Sequence, residues 1–360
     1  MAYAGGEKTE QFRIHISDKV FFCFSAAVFG VVIFALAYFT STLLGSDWAT
    51  YDMQRFYAMA QVIVNGATPY LSYQDNKPPL IYFTLAVPVL LGQKLLGGLV
   101  LVGACNFASA LLVMGMGWKL YGRFAGFLAG LLFTVNIAWA QGYFVLTEPF
   151  ALTFILLSTY VLFFSRSRWK YLVSGVFCGV GLGFKQYAIL LIPVLLYYMY
   201  RERELRRVPE IIIGIVIPLL FIFGAVFAVY GINAGAASMY WSYGVAGSYV
   251  ADDSVGSSVT SYVASNPVTL AVNIMVAVAM FTSLLVFALA NFVKDRPATP
   301  RDDYFLLAAV LFAGTILIRQ YLHYWILALP FIALLCARQF RDKGAIKSEV
   351  KKEEIDLSYQ

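Results

Sequence analysis

About ten mostly apolar stretches follow one another along this chain, at 20–44, 95–118, 124–143, 149–165, 171–184, 186–200, 210–231, 267–292, 304–318 and 321–337. About 20 such residues are what a helix needs to cross a bilayer, and few spans carry a charge. Hydrophobic residues make up 61% of the 360 and charged residues 13%, whereas a soluble domain is nearer half and a quarter. The pattern predicts an all-α polytopic membrane protein of about ten transmembrane helices. Residues 1–19 are expected to form a cytoplasmic N-terminal segment, 20–337 the transmembrane domain and 338–360 a cytoplasmic tail. The first apolar segment reads as a retained span, because no small-residue cleavage pattern follows it.

The net charge of +6 is a matter of topology. Lys and Arg of short loops gather on the cytoplasmic side. If 80–93 does not span, 21 of the 26 basic residues fall inside, in 1–19, 119–123, 166–170, 201–207, 294–301 and 338–352. Outside remain Arg55, Lys77, Lys94, Lys185 and Arg319. A spanning 80–93, which is short and contains Pro88, would move the Arg201–Arg207 cluster outside. The charge bias therefore makes 45–94 a single outer loop that bears juxtamembrane helices, with 232–266 as a second outer loop, and excludes a nucleic-acid partner. The expected setting is a prokaryotic plasma membrane, with both termini inside. Cys23, Cys105, Cys178 and Cys336 lie in apolar segments and read as small hydrophobes, and two histidines cannot build a histidine-rich metal site.

Ser46 to Tyr82 is the polar episode of the first half, with Asp47, Asp52, Asp75, Arg55, Lys77 and a run of tyrosines. Asp47 suits the cap of an amphipathic helix, which leaves Asp52 for chemistry; helical spacing sets Arg55 one turn beyond it. Asp75 reads as turn chemistry, and the Asp252–Asp253 pair as a solvated loop feature. Glu148 precedes Pro149 at a membrane edge. Thr147 or Glu148 is a possible cap, yet an ionisable group at such a depth is a functional candidate. Lys185 follows Gly179, Gly181 and Gly183 and either snorkels or meets a lipid phosphate in the notch they leave. Arg319 begins a stretch with His323 and Tyr324 at another outer helix end, and Arg suits bidentate phosphate contacts.

Asp52-x-x-Arg55-x-x-x-x-Ala60, then Gly66, Pro69-Tyr70 and Lys77-Pro78-Pro79-Leu80, resembles the first outer loop of GT-C membrane glycosyltransferases. Within them it is most similar to the protein-mannosyltransferase and lipid A aminoarabinose-transferase group. Glu148 falls where that group has a second acid; Lys185 and His323-Tyr324 with Pro330 match later features. The resemblance implies an inverting transferase on the outer face that takes a sugar from a polyprenyl-phosphate donor to a hydroxyl on a glycan, lipid or protein. It implies Asp52 as general base and Glu148 as an acid that orients acceptor or sugar. Lys77, Arg55, Lys185 and Arg319 are the donor phosphate contacts, and Tyr57, Tyr82, His323 and Tyr324 the substrate contacts. Met53 stands where many relatives carry a second acid, so the base role falls to Asp52 alone. No cofactor is required, since Lys and Arg can take a metal's role, although a divalent ion stays open.

A transporter or flippase for a lipid-linked sugar or polar solute is the competing reading. It calls for ionisable groups at mid-bilayer, where these spans have almost none. A non-catalytic membrane subunit leaves the outer charges without a purpose.

Overall fold

The computed structural model describes residues 17–44, 51–245, 284, 287–288, 290, 299–318 and 321–341. Among them the fold is all-α, a membrane protein with no strand. The helices are α1 Asp18–Leu44, α2 Tyr51–Val64, α3 Leu80–Leu90, α4 Lys94–Tyr121, α5 Arg123–Asn136, α6 Thr147–Phe164, α7 Lys170–Phe184, α8 Leu191–Arg201, α9 Val208–Met239, α10 Pro300–Ile318 and α11 Leu329–Ala337. Among the described residues four segments are long and apolar enough to cross a membrane: Asp18–Phe39, Lys94–Tyr121, Thr147–Phe164 and Leu205–Gly244. The expected span 267–292 lies mostly outside the described residues, as do Asp47, Asp252, Asp253 and Arg319.

Several expected spans depart from a continuous α-helix. The stretch 186–200 opens as a 3-10 turn, Gln186–Leu190, before α8 begins. The stretch 321–337 likewise opens as a 3-10 turn, Leu322–Leu327, and becomes α-helical with Pro330 in its first turn, where proline's missing N–H costs nothing. Helix α9 runs beyond 231 across a kink at Gly231, with φ 85° and ψ 174°, and ends in a π-turn, Tyr240–Gly244. The α3 segment has 11 residues; at about 1.5 Å per residue it is about half of a bilayer core.

Within the bundle α7 packs most extensively on α9 and α6. Lipid offers no hydrophobic reward for helix association, so close approach of small residues and polar contacts take its place. Gly175 and Gly214 face each other there: a methyl on Gly214 would stand 2.2 Å from the Leu172 carbonyl oxygen, and one on Gly175 2.3 Å from that of Ile211. On the other side Ser158 Oγ donates to the Ser174 carbonyl at 2.8 Å and Ser174 Oγ to that of Ser158 at 3.1 Å.

A second, smaller core holds the polar episode in place. Met53, Phe56, Met59 and Ala60 form the buried face of α2 and pack with Ile81, Tyr82 and Leu85 of α3 and with Val102, Val145 and Phe150. The chain leaves α2 through Gly66 at φ 73°, where Ala67 N donates to Val62 O at 3.0 Å, a left-handed helix stop that favours glycine. Pro79 is the cap of α3 at φ −63°, pre-set for helix entry. The far end of the bundle has a polar lock of its own. Buried Asp302 accepts from Tyr121 Oη at 2.7 Å and from Thr299 N at 3.0 Å, and Arg338 Nε stands 3.4 Å away. Gly214→Leu is expected to wedge α7 from α9 and cost about 1–3 kcal/mol, read as a lowered melting temperature of the purified protein in detergent.

Candidate active site

The loop between α2 and α3 is fastened before it presents anything. Asp75, 3% exposed, takes Asn76 N on Oδ1 and Tyr82 Oη on Oδ2, both at 2.8 Å. Arg55 Nη2 lies 3.0 Å from Asp75 Oδ1 and donates to the Gln74 carbonyl at 3.0 Å. Tyr70, in a left-handed conformation at φ 64°, donates to the Lys77 carbonyl at 2.8 Å, and Ser242 Oγ to the same oxygen at 3.3 Å. Gln186 Nε2 donates to the carbonyls of Asn76 at 2.6 Å and Ser242 at 2.7 Å. This one amide joins the loop, the α7–α8 break and the π-turn after α9. A strained non-glycine residue costs about 1–3 kcal/mol and persists only where its surroundings hold it, as the buried Tyr70 is held here.

Lys77 emerges from this frame half-buried, its Nζ 2.9 Å from Asn76 Oδ1. Burial lowers its basicity and the charge of Lys185 lowers it further, while the carboxylates of Asp52, Asp75 and Glu148 act the other way. Asp52, in the first turn of α2, is close enough for its charge to act on both Lys77 and His323. The first turns of α2 and α6, the end of α7 and the 3-10 turn before α11 are thus within electrostatic reach of one another.

Glu148 lies in the first turn of α6, and its side chain is 1% exposed. Neither it nor Thr147 caps the helix: the cap position is Leu146, without a side-chain hydrogen bond. Instead Glu148 Oε1 stands 2.6 Å from Lys185 Nζ and 3.7 Å from His323 Nε2, and Oε2 accepts from Thr147 Oγ1 at 3.0 Å. Lys185 is extended, at φ −145° and ψ 126°, because α7 ends at Phe184. That break turns its ammonium inward over the rings of Tyr187 and Tyr324, at 5.1 and 4.9 Å, a desolvated cation–π arrangement. Its side chain is 5% exposed, so it is a buried ion-pair partner and does not snorkel.

The structure therefore brings Glu148, Lys185, His323 and Tyr324 into contact, with Asp52 and Lys77 within electrostatic reach of them. Arg55 turns to Asp75 and the Gln74 carbonyl, Tyr82 gives its hydroxyl to Asp75, and Tyr57 gives its own to the Lys94 carbonyl, which joins α2 to α4. Burial pushes the Tyr57 phenol up to about 12, so it stays neutral near pH 7. Three contributors lie outside the sequence reading. Asp75 is the anchor of the loop and more than a turn residue, and Gln186 is its clamp. Gln141, left-handed at φ 60°, sets Oε1 3.4 Å from His323 Nδ1. The polar Lys185-Gln186 pair within an apolar run was the available signal for the second; for Gln141 there was none. Among the described residues no group of three His, Cys, Asp or Glu side chains is placed to hold a metal ion.

The model of the dolichyl-phosphate-mannose-protein mannosyltransferase family matches residues 76–229. The matched stretch contains Lys77, Tyr82, Glu148 and Lys185, and begins after Asp52. No curated protein and no solved structure matches the chain. The family match supports a GT-C superfamily glycosyltransferase that uses a lipid-linked sugar, as the motif resemblance implies.

A buried carboxylate left without its partner costs about 3–5 kcal/mol. Lys185→Met is therefore expected to lower the thermal stability strongly, and the double variant Glu148→Gln with Lys185→Met to recover most of it. A thermal double-mutant cycle on the purified protein measures this coupling.

Proposed function

We propose that this chain is an inverting glycosyltransferase that moves a sugar from a polyprenyl-phosphate donor to an acceptor hydroxyl on the outer face of a membrane. One observation carries the reading: a half-buried ammonium, Lys77, lies in the same field as the carboxylates of Asp52 and Glu148, on the segment where the family match begins. Bound phosphate needs a fixed cation and an acceptor hydroxyl needs a base, and the site has both.

In the proposed reaction the Asp52 carboxylate takes the proton of the acceptor hydroxyl. The acceptor oxygen forms its bond to the anomeric carbon from the side opposite the phosphate, while the bond from that carbon to the phosphate oxygen breaks. The electron pair leaves with the polyprenyl phosphate. Lys77 faces the charge that develops on that oxygen, where a fixed cation in a dry site is most effective. Glu148 stays ionised beside Lys185 and orients a hydroxyl of the sugar or acceptor, with His323 next to it. Arg55 acts through the loop that it secures by Asp75. Arg319, outside the described residues, is a further candidate for the phosphate.

General-base help contributes about a hundred- to ten-thousandfold. Purified Asp52→Asn is expected to lose transfer from a polyprenyl-phospho-sugar by that factor with its melting temperature unchanged. Movement of sugar or lipid-linked sugar across liposomes without any transfer contradicts the enzyme and supports a transporter.

The pH dependence follows from Lys77. With its pKa lowered by burial and by Lys185, it carries its charge at low pH and loses it as the pH rises through a value below the usual lysine range. Donor affinity is expected to fall across that alkaline limb. Lys77→Arg, which stays charged, is expected to remove the limb; an unchanged profile in this variant rules out Lys77 as the phosphate cation.

A further inference from the structure

Beside the Asp52–Lys77 field, on the far side of Asn76, lies a cavity of about 250 Å³ lined by Arg55, Gln74, Asp75, Asn76, Trp241 and Val245. Drug-sized ligands occupy about 300–1,000 Å³, so this volume suits a single ring. One wall is the loop that bears Lys77 and the other is the π-turn Tyr240–Gly244. Gln186 hydrogen-bonds to the carbonyls of both walls, and Ser242 Oγ to the Lys77 carbonyl. These hydrogen bonds tie the two walls of the cavity together.

Its lining selects by chemistry. Arg55 and Asp75 are both charged, but they neutralise each other at 3.0 Å, and Asp75 is further engaged by Asn76 N and Tyr82. What remains toward the cavity is uncharged. The exposed Gln74 amide and the Trp241 indole N–H make no hydrogen bond to the described residues, and the Asn76 amide uses its oxygen for Lys77. Two amides and an indole, with Arg55 already paired to Asp75, match a ligand that is neutral, hydroxyl-rich and apolar on one face. Among the described residues that line it, a phosphate or a carboxylate would meet only the cation already paired with Asp75. Pyranose rings have this chemistry: hydroxyls around the edge for the amides, and a C–H face for the indole.

We propose that this cavity is a saccharide subsite, with Trp241 as platform and Gln74 and Asn76 as hydroxyl partners, which holds one pyranose ring of acceptor or donor beside Lys77. The role of that ring in transfer rests on the transferase reading above; its binding does not. Asn76 couples the two places, because its side chain holds the Lys77 ammonium while its backbone takes the Gln186 bond.

The test uses the full chain in nanodiscs without donor, with methyl α-mannopyranoside, methyl β-glucopyranoside and N-acetylglucosamine as probes, read by saturation-transfer NMR. At least one glycoside is expected to bind, about tenfold more weakly in Trp241→Ala, as befits loss of an aromatic contact. Gln74→Ala, at an exposed side chain whose carbonyl still serves Arg55, is expected to weaken it too and covers the case in which the tryptophan variant fails to fold. Preloading with polyprenyl phosphate or with polyprenyl-phospho-sugar separates the sources. Displacement by the second alone assigns the ring to the donor; binding alongside both assigns it to the acceptor. Absence of glycoside binding, or binding that both folded variants leave unchanged, overturns the subsite. If a hydroxyl-bearing peptide accepts sugar while no glycoside binds, the subsite falls and the transferase stands. If glycosides bind but Asp52→Asn transfers normally, the subsite stands and the proposed base falls.

Discussion

A carboxylate with 1% of its side chain exposed stands 2.6 Å from an ammonium that is hardly more exposed, at the end of helices that are otherwise apolar. Neither charge is tolerable there alone, since desolvation costs several kcal/mol per ion and only close pairing offsets it. This pairing dictates local geometry. Helix α7 must stop at Phe184 so that Lys185 can turn inward, and the next residues become a 3-10 turn that sets Gln186 against the loop of Lys77. The break that satisfies Glu148 is thus the same break that clamps the loop of Lys77.

The two ends of the bundle use buried charge differently. At the far end Asp302 is enclosed by Tyr121, Thr299 and Arg338, which join α4, α10 and α11 around an oxygen pair already engaged on both sides. At the Glu148 end Asp75 is paired with Arg55 and Glu148 with Lys185, while Asp52, Asp75 and Glu148 all act on Lys77 and Lys185 acts against them. The first arrangement closes on itself and serves packing. The second leaves Lys77 and Asp52 outside the two ion pairs, which is the arrangement the proposed transfer calls for.

The helical class and the amphipathic face of α2 were legible in the sequence because each follows from periodicity and length. Phe56, Met59 and Ala60 occur at helical spacing, and all three are buried. Glu148 stood out as an ionisable group at a membrane edge, and Lys77 only through the Lys-Pro-Pro-Leu resemblance. Partners that join distant parts of the chain were not. Asp75 has local turn chemistry that conceals its bonds to Arg55 and Tyr82, 20 residues before it and seven after. Gln186 makes contacts 110 and 56 residues away, and no local pattern encodes them. The helix-cap reading of Glu148 failed for a related reason: the pull of Lys185 across the bundle outweighs a cap that would be worth about 1 kcal/mol. The interruption of 186–200 was hidden because hydropathy counts apolar residues without regard to the backbone that carries them.

The central claim is that the head group of a lipid-linked sugar meets the protein at Lys77, between Asp52 and Glu148. The most direct measurement is a structure of the full chain with polyprenyl phosphate bound. The account predicts the phosphate within hydrogen-bond distance of Lys77 Nζ, with the Lys185–Glu148 pair intact behind it. A phosphate held instead at the opposite end, by the Arg201–Arg207 cluster, contradicts it.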